Sequence, residues 1–125
     1  MGILRINATN ELPEIFLDSY NSTLSFSGIS KPENIFELFN TLMKWINESK
    51  NDFKNKIICN FYFKYVNTSS KKMIFELLQE LKKIAIEKEL SLEVNWSHRK
   101  IDDDILEIGT EFEDLISHNF NYIIK

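Results

Sequence analysis

The sequence predicts a single α/β domain in which a mixed β-sheet packs against about three to four α-helices. Short segments alternate apolar and polar side chains, longer segments repeat apolar residues at helical spacing, and the two kinds of segment follow one another along the chain. The 125 residues are 43% hydrophobic, which suffices for one buried core but leaves no room for a second. We therefore expect one domain over residues 1–125.

The chain is predicted to begin with three strands. Ile3 and Leu4 open a short strand. Two further strands are predicted by alternating residues: Ile15 and Leu17 with Phe16 and Asp18, and Leu24 and Phe26 with Ser25 and Ser27. The intervening residues 18–21 read Asp-Ser-Tyr-Asn, which is typical of a turn. The second and third segments are therefore predicted to form a β-hairpin.

The first helix is predicted to begin at a capping box. Ser30 and Glu33 have the Ser-x-x-Glu spacing of this motif, with Pro32 in the first turn. The apolar residues that follow repeat at helical spacing: Ile35, Leu38, Phe39, Leu42 and Ile46. Phe36 and Trp45 lie beside this stripe, and we expect both to pack at its edge.

A central strand and a second helix are predicted next. Residues 56–66 are nearly all apolar or aromatic, with Lys64 as the exception, and this run predicts a strand covered on both faces. It contains Cys59, the only cysteine, which we expect to be buried. The second helix then carries one apolar face: Ile74, Leu77, Leu78, Leu81, Ile84 and Ala85.

Three consecutive hydroxyls, of Thr68, Ser69 and Ser70, fall in the first turn of the second helix. Free amide groups and the positive end of the helix dipole favour negative charge there, so a phosphate on one hydroxyl would be tolerated. Lys71 and Lys72 could add charge-assisted hydrogen bonds. The alternative is structural, with Thr68 or Ser69 acting only as the N-cap of the helix.

The last part of the chain is predicted to form a strand, a helix and an edge strand. Residues 92–96 alternate in polarity, and Asp104 is predicted to cap a third helix with Glu107 three residues later. The apolar residues of this helix repeat at helical spacing: Ile105, Ile108, Phe112, Leu115 and Ile116. Residues 120–124 are predicted to form the edge strand.

An acidic cluster, Asp102, Asp103, Asp104 and Glu107, lies at the start of the third helix. Magnesium prefers carboxylate oxygens, so a metal site is one interpretation. The cluster lacks the alternating ligand spacing and turn glycine of a calcium loop, and acidic residues are common at helix starts. We expect no bound metal here, and instead a charged face that a protein partner contacts.

Composition and motifs disfavour several function classes. The net charge of −4 and the absence of a basic block argue against nucleic-acid binding. No signal-peptide segment and no apolar run long enough for membrane insertion occur, which predicts a cytoplasmic protein. No glycine-rich phosphate loop or nucleophile turn is present, and His98, His118 and Cys59 are too scattered to suggest zinc. We expect a non-catalytic protein without a cofactor; the alternative is a small carboxylate-based enzyme around residues 102–107.

Four motifs occur in a characteristic order. They are Ala8-Thr9 with Pro13-Glu14, then Pro32-Glu33-Asn34, then Tyr65-Val66-Asn67-Thr68-Ser69-Ser70, and finally Val94-Asn95-Trp96 followed by residues 102–112. Together they resemble the SiaC family of bacterial regulatory phosphoproteins, whose fold is similar to the STAS domains of anti-sigma factor antagonists. The resemblance spans nearly the whole chain, and its most specific part is the Asn-Thr-Ser-Ser element after an aromatic-rich strand.

The resemblance implies a partner switch. A Ser/Thr protein kinase would phosphorylate Thr68, with Ser69 and Ser70 as secondary candidates, and a PP2C-type phosphatase would remove the phosphate. Unmodified protein would bind and activate a diguanylate cyclase that controls cyclic-di-GMP and biofilm formation. The runner-up function is that of an anti-sigma factor antagonist. The residues expected to meet partners are Asn67, Thr68, Ser69, Ser70, Lys71, Asp102, Asp103, Asp104 and Glu107.

Overall fold

A computed structural model describes residues 2–125, which form six strands, three α-helices and a short 3₁₀ turn at Lys50–Asp52. The strands are β1 (Ile3–Ile6), β2 (Glu14–Asp18), β3 (Thr23–Ser30), β4 (Lys56–Val66), β5 (Ser91–His98) and β6 (Phe120–Ile124). The helices are α1 (Ile35–Ser49), α2 (Thr68–Lys88) and α3 (Asp103–Ile116). The predicted α/β class, with a mixed sheet and about three helices, is confirmed.

The six strands lie in the sheet in the same order as in the chain. The β1–β2 and β2–β3 pairs are antiparallel, which confirms the predicted hairpin, and β3 to β6 are parallel. Each parallel connection passes through one helix to the next strand in the same direction, and such crossovers share one hand, which places all three helices on one face of the sheet. The molecule therefore has two layers, with one sheet face covered by helices.

Only one face of the central strand β4 is covered, which corrects the prediction of two covered faces. Ile57, Cys59 and Phe61 are buried beneath the helices, and this burial raises the pKa of the Cys59 thiol. Ile58 and Tyr62 point to the other face and are partly exposed. Since apolar residues occupy both faces of β4, its sequence shows no alternation of polarity and reads like that of a strand buried on both sides.

Helix α1 begins later than the predicted capping box. Its N-cap is Asn34, whose side-chain oxygen accepts a hydrogen bond from the Glu37 amide at 3.2 Å. Ser30 is instead the last residue of β3, where it is buried against Ser70 of α2. The capping-box prediction was wrong because the Ser30 hydroxyl is used by a residue 40 positions away.

The two aromatic residues beside the apolar stripe of α1 have opposite environments. Trp45 is buried and packs against Phe53, with 5.9 Å between ring centroids. Phe36 is 75% exposed. The prediction of edge packing was therefore wrong for Phe36, which lies in the first turn of α1 and faces solvent beside α2.

The packing of α3 on the sheet is set by Trp96, which is fully buried. Its ring lies 5.3 Å from that of Phe61 and 5.7 Å from that of Phe112, measured between centroids. Its indole Nε1 donates a 2.8 Å hydrogen bond to the Ile105 carbonyl. A Cβ added at Gly109 would lie only 2.5 Å from this Nε1, so α3 rests directly on the indole at a position where only glycine fits.

The far end of α3 is tied to the edge strand. Glu113 accepts hydrogen bonds of 2.8 Å from the Phe120 amide and from the Tyr122 hydroxyl, and both bonds lower the pKa of its carboxyl. Lys82 of α2 donates to the carbonyl of Ile116, the last residue of α3, and at 2.8 Å to that of Ser117, its C-cap. The predicted strand at residues 120–124 is confirmed. Within residues 2–125, no helix has the length and apolar character needed to cross a membrane.

Candidate functional site

A cleft of about 420 Å³ separates the starts of α2 and α3. Both helices follow parallel strands, so their starts meet at the carboxyl edge of β4 and β5, where α/β sheets usually bind their ligands. The cleft brings together two segments that are more than 30 residues apart in the chain. Six of the predicted partner-binding residues line it: Asn67, Thr68, Lys71, Asp102, Asp104 and Glu107.

The start of α2 is capped by Asn67. This residue is extended, and its side-chain oxygen accepts hydrogen bonds from the Ser70 amide at 2.9 Å and from the Ser69 hydroxyl at 3.2 Å. Thr68 is the first residue of the helix. The alternative in which Thr68 or Ser69 is the N-cap is therefore wrong, because the preceding asparagine already satisfies the free amide.

The three hydroxyls at the start of α2 have different environments. Ser70 is fully buried, donates to the Ser30 carbonyl at 3.0 Å and lies 2.7 Å from the Ser30 hydroxyl. Ser69 is partly buried and bonded to Asn67. Thr68 is exposed, and within residues 2–125 its hydroxyl has no hydrogen-bond partner. Thr68 is thus the hydroxyl that a second protein can reach without breaking a contact.

Helix α3 is capped by Asp102. Its carboxylate accepts a hydrogen bond from the Ile105 amide at 3.1 Å and lies 3.5 Å from the Arg99 guanidinium. The prediction that Asp104 is the cap was wrong, because the chain already turns at Asp102 and α3 begins one residue later. Asp103 is exposed and does not line the cleft.

The lining of the cleft has an excess of negative charge. Lys64 and Lys71 are its two cations, and four carboxylates face them: Asp102, Asp104, Glu107 and Glu111. Lys72 was expected to join Lys71, but it lines a separate groove on the other side of α2 together with Ser69. The reason is the helical rotation between successive residues, which carries Lys72 about 100° away from its neighbour.

Sequence reasoning missed part of the cleft wall. Lys64 and Tyr65 come from the end of β4, and Ile108 and Glu111 from later turns of α3. Lys64 did carry a signal, because it was the one charged residue in an apolar strand. Tyr65, which is 51% exposed, had no such signal within an aromatic-rich segment.

The cleft has the character of a binding surface. Within residues 2–125, no three His, Cys, Asp or Glu side chains gather in a way that could hold a metal ion. The two histidines lie outside the cleft, where His98 and His118 each hydrogen-bond to a backbone carbonyl. The lining thus offers charge, the hydroxyls of Thr68 and Tyr65 and some apolar surface.

Comparison with known proteins identifies relatives over nearly the whole chain. A family model described as SiaC family regulatory phosphoprotein matches residues 6–125. An uncharacterized protein of Pseudomonas aeruginosa strain UCBPP-PA14 is 28% identical over 120 residues, which cover 96% of this chain and 94% of the relative.

Two crystal structures from Pseudomonas aeruginosa are also similar. Apo-SiaC matches with a TM-score of 0.87 at 27% identity, covering 98% of this chain and 99% of its own. A chain in the structure of the diguanylate cyclase SiaD in complex with its activator SiaC matches with a TM-score of 0.87 at 26% identity and the same coverage. The fold, the motifs and the family match agree, and the chain belongs to the SiaC family of regulatory phosphoproteins.

Proposed function

We propose that this protein is a non-catalytic binding switch controlled by phosphorylation of Thr68. The observation that carries the proposal is the contrast between the three hydroxyls. Thr68 is exposed at the edge of the cleft, whereas Ser70 is fully buried against Ser30 and Ser69 is bonded to Asn67. A Ser/Thr protein kinase would add the phosphate and a PP2C-type phosphatase would remove it.

The start of α2 favours a phosphate at Thr68, although the α3 side of the cleft is acidic. It would bring about −1.5 to −2 charges and three acceptor oxygens to the positive end of α2. The first turn of α2 contains no acidic residue, and Lys64 and Lys71 line the same cleft. The modified helix start can therefore form new charge-assisted hydrogen bonds, so the phosphate would be held at the surface without unfolding α2.

In its unmodified form, the protein would bind and activate a diguanylate cyclase and so control cyclic-di-GMP and biofilm formation. This part of the proposal is supported by the similarity to SiaC, which is described as the activator of the cyclase SiaD. A partner that covers the start of α2 would have to desolvate a phosphate on Thr68. Each tenfold loss of affinity requires about 1.4 kcal/mol, and burying an uncompensated charge costs more than this.

The acceptor is tested by incubating the protein with its cognate kinase and ATP and measuring its intact mass. Wild type and the matched control Ser69→Ala should each gain one phosphate, and Thr68→Ala should gain none. Peptide fragmentation of the modified wild type should locate the phosphate on Thr68. If Thr68→Ala is modified to the same extent as wild type, the assignment of the acceptor is wrong.

The output is tested by adding unmodified, phosphorylated and phosphatase-treated protein to the diguanylate cyclase of the same organism and measuring cyclic-di-GMP synthesis. We expect activation by the first and third samples and none by the second. If the unmodified protein leaves the cyclase unaffected but binds an anti-sigma factor, the alternative function replaces this one.

A further inference from the structure

We infer that the effector contacts a second surface, an apolar groove between α1 and α2, in addition to the cleft between α2 and α3. This inference rests on the proposed function. The groove has a volume of about 320 Å³, and Ile35, Phe36, Phe39 and Met73 form its apolar wall beside Ser69 and Lys72. We call it the α1–α2 groove.

Phe36 is the distinctive residue of the α1–α2 groove. Its side chain is 75% exposed although it is large and aromatic. Phe39, which is partly exposed, adds further apolar surface, whereas Met73 lines the groove but is itself buried. Aromatic residues and methionine are enriched in protein interfaces relative to the rest of the surface. The cleft on the other side of α2 is mainly charged, so the groove offers a more apolar contact than the cleft does.

The position of Thr68 explains why both surfaces are needed. A phosphate at the rim of an interface stays hydrated and costs the complex little, whereas one near its centre loses its water. Thr68 lines the cleft, and the next residue, Ser69, lines the α1–α2 groove. A partner that covers both surfaces therefore places Thr68 between them, where a phosphate opposes binding most strongly.

The size of the two surfaces agrees with this arrangement. The cleft is lined by twelve residues and the α1–α2 groove by eight, with none in common. A stable protein interface uses about 20–30 residues from each partner. Val66, Ile105 and Met73 are buried, so the cleft alone offers ten accessible residues and the two surfaces together offer seventeen, which is close to the lower end of the range.

The charges that line the cleft indicate which kind of effector segment would bind there. It is a segment of the effector that carries basic side chains on one side and apolar side chains on the other. The basic side chains face the carboxylates of the cleft, such as Asp104 and Glu107, whose lining has four acidic and two basic residues. The apolar side chains cover Thr68 and enter the α1–α2 groove beside Phe36, so the segment places no cation next to a phosphate on Thr68.

The test compares two variants that each remove an exposed aromatic ring. Phe36→Ser removes the ring from the groove, and Tyr20→Ser removes a ring that is 80% exposed in the turn between β2 and β3. Binding of each unmodified variant to the organism's diguanylate cyclase is measured by calorimetry. We expect Phe36→Ser to weaken binding at least about tenfold, as loss of an interface hot spot does, and Tyr20→Ser to bind like wild type.

The outcomes separate this inference from the proposed function. If wild type binds the cyclase and Phe36→Ser binds equally well, the groove is not part of the interface and the proposed function stands. If wild type itself does not bind, both fail. A loss of binding in Ile86→Ser but not in Phe36→Ser would also overturn the inference, because Ile86 lines a different groove with Leu115. A thermal melt of Phe36→Ser should match wild type, because the ring is exposed.

Discussion

The starts of α2 and α3 lie side by side at one edge of the sheet, but they differ in charge. Each is capped by an Asx residue that accepts a hydrogen bond from the amide three positions later. Helix α3 has an aspartate as its cap and two more aspartates in its first turn, Asp103 and Asp104. Helix α2 has the neutral Asn67 as its cap and no acidic residue in its first turn.

Under the proposed phosphorylation, the fold would carry a permanent charge at the start of α3 and a removable one at the start of α2. The positive end of the α3 dipole is compensated by carboxylates of the sequence itself. The positive end of α2 is left without an anion, and Thr68 is the exposed hydroxyl there. An anion added to Thr68 would give α2 the charge that α3 already has, and removing it would restore the difference.

The largest expected effect comes from moving α3 away from the sheet on which it rests. In Gly109→Ala, the new methyl group would lie 2.5 Å from the indole of Trp96, which is fully buried and cannot turn aside. We expect the free energy of unfolding to fall by about 2 kcal/mol, because overpacking outweighs the better helix propensity of alanine. Urea denaturation measures this change.

The matched control for Gly109→Ala is Thr110→Ala. The Thr110 hydroxyl bonds only to the Glu107 carbonyl of its own helix, so the loss should stay within about 0.5 kcal/mol. Equal stability of Gly109→Ala and wild type would show that α3 does not depend on its close approach to the indole.

A smaller effect is expected from loosening the start of α2. Ser70→Ala leaves the buried Ser30 hydroxyl without its partner, which lies 2.7 Å away in the wild-type protein. We expect a loss of about 1.5 kcal/mol in urea denaturation, in the range for an unsatisfied buried polar group. Ser69→Ala is the control and should lose less, because Ser69 is only partly buried. A Ser70→Ala variant no less stable than Ser69→Ala would show that the Ser30–Ser70 contact does not hold α2 in place.

The smallest expected effect comes from making the two helix caps alike. Asn67→Asp retains the capping oxygen and adds the negative charge that α3 already has. We expect a gain of about 0.5 kcal/mol at low salt that shrinks at high salt, because dipole interactions near the surface are screened. The reciprocal variant Asp102→Asn should lose stability, since it also weakens the contact with Arg99. A loss of stability in Asn67→Asp would show that an added negative charge at the start of α2 is unfavourable.

Much of the fold could be predicted because its signals are local. The hairpin around residues 18–21, the three helices and the last strand follow from periodicity and turn residues that lie next to one another in the chain. The errors at the helix starts arose because the capping side chain depends on where the chain turns into the helix. Ser30 is still in β3, where it contacts Ser70, and α1 is capped by Asn34; α3 is capped by Asp102, two residues before Asp104.

Part of the candidate site could also be predicted, because its signals are local motifs. The Asn-Thr-Ser-Ser element and the acidic cluster are visible as motifs, and their positions after parallel strands place both at one edge of the sheet. Lys64 and Tyr65 were missed because they lie in β4, and the sequence does not show that the end of this strand forms a wall of the cleft. The exposure of Phe36 could not be predicted from the sequence, since an aromatic residue beside an apolar stripe usually packs against the core.

The sequence by itself determined the family, the order of the elements and the three hydroxyls at the start of α2, because these depend on local spacing and motif. Only the tertiary structure decided which hydroxyl is free. The Ser70 hydroxyl is buried against that of Ser30, a residue 40 positions earlier. Thr68 remains exposed, beside carboxylates that lie more than 30 positions later in the chain. Such long-range contacts arise from the pairing of β3, β4 and β5, and local sequence patterns do not predict them.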